Sequence, residues 1–237
     1  MHSTLLTRDG QLDVSIRRLR NCQLFDGMDD VRLAEVARLC TWHKLEAEQM
    51  AEGRPDETFF IICHGKLRVS ALSANGREII LTDFDVGEHF GVITRMDTDS
   101  AALQVQALEP TLLASLTRED LALIIRDDTV FREGLLQTQQ CVTERLVKRL
   151  IELGTLKISG RLYSCLLQLA ERAGIVNNQA TIRPAPLHME LGARIAASRE
   201  EVSRELARLR KQGLISSSRH ALVLLDVAGL KERLQQQ

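Results

Sequence analysis

The sequence predicts an α+β chain in three parts: a roll of short antiparallel strands, one long helix, and a C-terminal helical segment that ends in a hairpin. Three observations carry this prediction. Short strands punctuated by turns run from about Glu57 to Gly91, one apolar stripe runs from about Asp127 to Leu156, and two short helices meet at a tight turn within "LGARIAASREEVSRELARLRKQGLI", Leu191 to Ile215. At 237 residues the chain can hold two domains with separate cores.

In "DDVRLAEVARLC", Val31, Leu33, Val36 and Leu39 lie at helical separations, which predicts a helix capping the strands. The strands follow: "TFFIIC" ends at "HGK", "LRVSAL" runs into "SANG", and "REIILTDF" runs into "DVGEHFG". Asn75-Gly76 between alternating segments is a hairpin signal, and spacing this close excludes parallel βαβ units. A meander or jelly roll fits, continued through "LQVQAL" and "TLLASL".

In the long helix, Phe131, Leu135, Val142, Leu146, Leu150 and Leu153 form one stripe over about seven turns. Such a stripe packs either along its own domain or against a second copy across a two-fold axis. Pairing is the expectation, although Thr138 and Arg145 interrupt a strict heptad.

Beyond Gly160, "RLYSCLLQLAERAG" reads as an amphipathic helix closed by Gly174, and "NNQATIRPAPL" as a strand and loop. His188 to Ala196 makes a short helix with Leu191 and Ile195 on one face, and the chain turns at Ala196-Ala197. Ser198 opens a second helix, for "SREE" is a capping box in which Ser198 and Glu201 satisfy each other's amides. Val202, Leu206 and Leu209 face the core, so Glu200, Arg204 and Lys211 point the opposite way, with Ser203 flanking and Arg199 on the exposed first turn. "SSSRHALVLL" then reads as a turn and an apolar strand, a wing with Arg219 and His220 at its tip.

Bulk properties narrow the function. Hydrophobic residues at 44% and charged residues at 27% describe a globular chain rather than a disordered one. The start lacks an apolar signal region, and no run approaches the ~18 apolar residues of a membrane span, so a cytoplasmic protein is expected. Cys22, Cys40, Cys63, Cys141 and Cys165 show neither a disulfide framework nor zinc-ligand spacing. Residues 160–237 carry 12 Lys+Arg against 7 Asp+Glu, a net of +5, while the first 159 carry 19 against 25, a net of −6. The C-terminal part is the one suited to a polyanion.

Two helices joined by a tight turn, the second with a polar and mostly basic face, form a helix-turn-helix, whose second helix enters the major groove. Arginine bonds bidentately to guanine and glutamate accepts from cytosine, which makes Arg199, Glu200, Ser203 and Arg204 the candidate base contacts. His188, Lys211, Arg219 and His220 are the candidate backbone contacts.

"ELGARIAASREEVSRELARLRKQGLI" closely resembles the helix-turn-helix signature of the cyclic-AMP receptor protein/Fnr (Crp/Fnr) family of bacterial transcription regulators, and the three-part order matches over nearly the whole chain. Ser198-Arg199-Glu200 resembles the nucleotide-sensing branch, and Glu200 with Ser203-Arg204 resembles the oxygen-sensing branch. The resemblance implies a cyclic-nucleotide-binding-like β-roll (a double-stranded β-helix) over residues 1–126, a dimerisation helix and hinge over 127–157, and a winged helix-turn-helix over 158–237. It further implies a homodimer on a palindromic operator with a TGA core, with contacts to double-stranded DNA and RNA polymerase.

The signal is harder to read. Nucleotide-binding members hold the ribose and cyclic phosphate with a Gly-Glu pair and an Arg-Ser/Thr-Ala segment. Here "GEHFGVITRMDTDSAALQV" keeps Gly91 but places Val92 at the glutamate and Asp99 at the arginine. Asp97 and Asp99 would repel a phosphate, so standard cAMP binding is not expected, with Arg95 as a substitute cation. Gly87, His89, Gly91, Arg95, Ser100 and Ala101 are the candidate effector residues. Cys22 alone cannot supply an iron-sulfur cluster. A haem or another small effector would draw on His43, His64 or His89, and a redox switch on Cys63 or Cys141.

Two other classes compete with the regulator: a β-roll module that signals by protein contacts without sequence-specific DNA binding, and a cupin-like enzyme. The first lacks a kinase or membrane segment beside the roll, and the second lacks HxH ligand spacing. The expectation is a DNA-binding regulator, with no enzyme activity, no metal site and no membrane partner.

Overall fold

A computed structural model describes residues 12–51, 58–73, 76, 78–91 and 101–236. Its Cα packing defines two units, Met1–Gly76 with Ile80–Leu146, and Arg77–Ile79 with Val147–Gln237.

The first unit opens with α1 (Leu12–Arg20) and α2 (Asp30–Leu39), whose N-terminus is capped by the Asp29 carboxylate accepting from the Arg32 amide. Leu33, Val36 and Ala37 are the buried residues of α2. Of the four apolar positions expected to pack inward, Val31 is 75% exposed and Leu39 43%. At ~100° per residue Val31 falls nearly opposite the buried face of Leu33, Val36 and Ala37, and Leu39 lies to its side.

The strands are β1 (Thr41–Leu45), β2 (Thr58–His64), β3 (Leu67–Ser73), β4 (Glu78–Phe84), β5 (His89–Gly91), β6 (Ala101–Ala107) and β7 (Thr111–Thr117). They form an antiparallel sheet ordered β1-β7-β2-β5 and a second ordered β4-β3-β6. The hairpin expected around Asn75-Gly76 joins β3 to β4; Gly76 takes φ +78°, and Asn75 lies outside the described residues.

The "TFFIIC" strand is buried nearly throughout because it separates two cores. Phe59, Ile61 and Cys63 of β2 pack with the helices, while Phe60 and Ile62 pack with Leu67, Phe84 and Val105 of the second sheet. Each face is apolar, so alternation disappears.

α3 (Arg118–Asp127) is capped by Thr117, and α4 (Thr129–Thr155) begins where Asp128 accepts from the Phe131 amide at 2.8 Å. The single stripe expected on α4 divides. Phe131 and Leu135 are buried in the helix-side core and Val142 packs against the sheet-side core. Leu150 turns the other way and is 70% exposed, together with Leu136 at 68%, Ile151 at 57% and Val147 at 50%. At ~100° per residue these four fall within about 100° of one another, on a face distinct from that of Phe131 and Val142. Leu146 sits on the shoulder between them, 43% exposed.

The second unit contains α5 (Ile158–Ala173), β8 (Ile175–Val176), β9 (Gln179–Ile182), α6 (His188–Ile195), α7 (Arg199–Lys211), β10 (Ile215–Ser217), β11 (Leu222–Leu224) and α8 (Val227–Gln235). Gly174, at φ +87°, closes α5 as expected. An antiparallel sheet ordered β10-β11-β9-β8 backs the helices. Leu162, Tyr163 and Leu166 of α5, Leu191 and Ile195 of α6, and Val202, Leu206 and Leu209 of α7 meet in one core with Leu222 and Leu224.

Candidate nucleic-acid interface

α6 and α7 are positioned by local chemistry before any tertiary contact. Ala196 ends α6 in the left-handed region at φ +52°, ψ +50°, an unfavourable place for an alanine and the cause of the abrupt turn. Gly192 permits the turn to fold back, since a Cβ there would meet the Ala197 carbonyl oxygen at 2.7 Å. Ser198 then caps α7: its hydroxyl accepts from the Glu201 amide, while the Glu201 carboxylate accepts from the Ser198 amide at 2.7 Å.

With Val202, Leu206 and Leu209 buried, the rotation of α7 about its axis is fixed. Glu200 and Arg204 project into solvent along its outer face, Arg199 is exposed in its first turn, and Lys211 lies exposed in its last turn. Arg208 and Arg210 are engaged within the domain. Arg208 pairs with Glu205 at 2.8 Å and donates to the Tyr163 hydroxyl, and Arg210 donates to Ser217 Oγ at 2.7 Å.

Ser203 occupies a different position from the other expected base readers. It is half-buried, and its hydroxyl donates to the Arg199 carbonyl at 2.8 Å and lies 2.7 Å from His188 Nδ1. With the hydroxyl proton given to Arg199, His188 Nδ1–H is the donor to Ser203. This bond pins the start of α6 to the second turn of α7, so Ser203 and His188 act first as a brace. Arg219 and His220 are exposed at the turn between β10 and β11, the tip of the wing.

Between the start of α6, the start of α7 and the wing lies a groove of about 510 Å³, lined in part by Leu187, Met189, Arg199, Arg210 and Arg219. Leu187 and Met189 are each 67% exposed and were not singled out from sequence. Leu187 stands at i, i+4 from Leu191, which disguises it as core. Its extended backbone at the N-cap, ψ 144°, turns it outward instead.

Of the expected effector residues, the structure describes Gly87, His89 and Gly91 with their side chains or backbone contacts. Gly87, at φ +88°, donates its amide to the Ile62 carbonyl at 2.8 Å and lies against Cys22. Gly91 is paired with Phe59. His89, a candidate effector residue, is in β5 and 2% exposed. It stacks on Phe59 at 4.8 Å, and its Nε2 is 2.7 Å from Thr138 Oγ1 of α4. Thr138 donates to helix carbonyls, so it accepts from His89 Nε2–H, and His89 Nδ1 is buried without a partner. Burial pushes the ring down to about 4, so it is neutral.

His43 has its Nε2 2.7 Å from Ser115 Oγ and is lowered by burial, and His64 is exposed at the end of β2. His43 and His89 each place one ring nitrogen against a hydroxyl and leave the other without a hydrogen bond to that partner. No group of three or more His, Cys, Asp or Glu suited to a metal occurs among the described residues. Arg95, Ser100, Val92, Asp97 and Asp99 lie outside the described residues, as does the side chain of Ala101.

Residues 48–128 match the family described as the cyclic nucleotide-binding domain, and residues 160–233 match the Crp-like helix-turn-helix domain. The chain is 28% identical to the CRP-like cAMP-activated global transcriptional regulator of Mycobacterium tuberculosis, over 77% of this chain and 82% of that one. It is 27% identical to the cyclic AMP receptor protein of Thermus thermophilus, over 76% and 81%. Among solved structures, a CooA mutant from Carboxydothermus hydrogenoformans superposes with a TM-score of 0.71 at 20% identity, covering 84% of this chain and 90% of that one. The c-di-GMP responsive global regulator CLP of Xanthomonas campestris gives 0.70 at 17% identity, covering 83% and 99%.

Proposed function

The chain belongs to the Crp/Fnr family of bacterial transcription regulators, and from that premise we propose that it acts as a homodimer whose paired α7 helices read a palindromic operator. It is a DNA-binding regulator controlled through its N-terminal domain. The division of labour we propose is a sensor in residues 1–126, a dimerisation helix and hinge in 127–157, and the DNA-binding domain in 158–237.

One observation carries the reading. Glu200 and Arg204 share the solvent face of a helix whose opposite face is locked in a core, and Arg199 is exposed in its first turn, which is locked by a capping box. Such a helix presents guanidinium forks without losing register, as bidentate recognition of guanine requires. Ser203 and His188 support the reading helix, and His188, Lys211, Arg219 and His220 serve the phosphate backbone. RNA polymerase is the further partner that family membership implies.

For control, an event in the segment Gly87 to Ala101 is carried to α4, where His89 meets Thr138. It alters the packing of α4 and so rotates the two recognition helices into or out of register with half-sites one helical turn, ~34 Å, apart. The effector is not held in the manner of the cAMP-binding members, because Val92 and Asp99 replace the glutamate and arginine of the segments that hold the ribose and cyclic phosphate.

Arg204→Ala should cost about 1 to 3 kcal/mol on the specific operator and relax discrimination at one base pair, whereas Arg219→Ala should weaken all sequences alike and reduce the salt slope. Anisotropy titrations on operator variants separate the two. Equal losses on every sequence for both variants would contradict the assignment.

A further inference from the structure

A second cluster of guanidiniums lies within the C-terminal unit, apart from the face that α7 turns to solvent. The last turns of α4 bring Arg149 and Glu152 to the wall of a cavity of about 50 Å³, α5 adds Arg161, Cys165 and Gln168, and α6 adds Arg194. Arg194 is six residues along α6 from His188, roughly 9 Å by helical rise.

The described wall carries three guanidiniums and the Glu152 carboxylate. Arg194 is held by Glu190 at 3.1 Å, and the Glu152 carboxylate accepts from Ser164 Oγ at 2.6 Å. Arg161 has no ion pair among the described residues, and its Nε is buried without a hydrogen-bond partner. The Cys165 thiol is pushed up to about 11 by burial, so it adds no negative charge. A half-buried guanidinium with an unpaired donor is costly unless something anionic shares its site. A cavity of this size takes several water-sized groups, which is the bulk of one tetrahedral oxyanion.

We propose that this cavity is a binding site for a small oxyanion, inorganic phosphate or the phosphate of a nucleotide, held by Arg161 together with Arg149 and Arg194. The site joins three helices, and its occupation ties the end of α4 to α5 and α6. The proposal concerns binding alone and stands apart from the reading of α7 as the DNA-contacting helix.

The test is thermal unfolding of the full-length protein as inorganic phosphate is added at constant ionic strength. Wild type should show a saturable rise of roughly 2 °C or more. Arg161→Gln should lose the rise, and Arg204→Ala, which alters only the exposed face of α7, should keep it. AMP and adenosine in place of phosphate distinguish the sources: a nucleotide ligand makes AMP act at lower concentration than phosphate, and adenosine should do nothing. No rise in wild type, a rise that survives Arg161→Gln, or one abolished by Arg204→Ala would overturn the proposal. Should Arg161→Gln fail to fold, tungstate soaked into crystals of the wild type decides, because an anomalous peak among the three guanidiniums supports the site and an empty cavity refutes it.

Discussion

His89 concentrates the chemistry of the N-terminal unit in one ring. Its Nε2–H is donated to Thr138, its face covers Phe59, and its buried Nδ1 has no group to receive a proton from. The folded ring titrates at about 4, while an unfolded imidazole titrates near ~6.5. The unfolded chain therefore binds the extra proton first as the pH falls. Stability is complete above pH ~6.5 and is lost progressively down to about pH 4, by on the order of 3 kcal/mol for this residue. His43, also lowered by burial, contributes with the same sign. Urea unfolding across this range should be less pH-dependent in His89→Leu than in wild type, and parallel curves would refute a neutral buried ring. The sequence could not reveal this role, because a histidine after Asp85-Val86-Gly87-Glu88 reads as turn surface, and only the packing of β5 on a helix 49 residues away buries it.

α4 and α7 differ in how much of them could be read in advance. The rotation, start and core face of α7 follow from Ser198, Glu201, Val202, Leu206 and Leu209, which interact within four residues or meet one core, so its sequence pattern was sufficient. α4 carries apolar residues on two faces, and a pattern of spacings cannot assign a residue such as Leu150 to one or the other without a partner surface. We propose that α4 pairs through a seam of Val147, Leu150 and Ile151, which its last turns leave exposed in the single chain. Leu150→Glu should weaken the dimer by roughly 2 to 4 kcal/mol, as sedimentation over a concentration series would record. An unchanged dimer would move the interface off this seam.

At the level of the whole molecule, the near-neutral chain divides into an N-terminal part of net −6 and a C-terminal part of net +5, so attraction to a polyanion is confined to one end. The succession of strands, long helix and capped short helices along the chain was legible because these elements have different periods, whereas the strand order β1-β7-β2-β5 was not, since spacing alone fits a meander as well as a jelly roll. The sensor chemistry was not, since the decisive segment from Val92 to Ser100 departs from the family pattern at the two positions that name the ligand. The central claim, that paired α7 helices read two half-sites, is most directly tested by selecting binding sites from a random duplex pool with the purified protein. The account predicts enrichment of an inverted repeat with TGA-containing arms whose centres are ~10 bp apart, weakened at a defined position by Arg204→Ala. Recovery of single unpaired sites, or of no sequence preference at all, would contradict it.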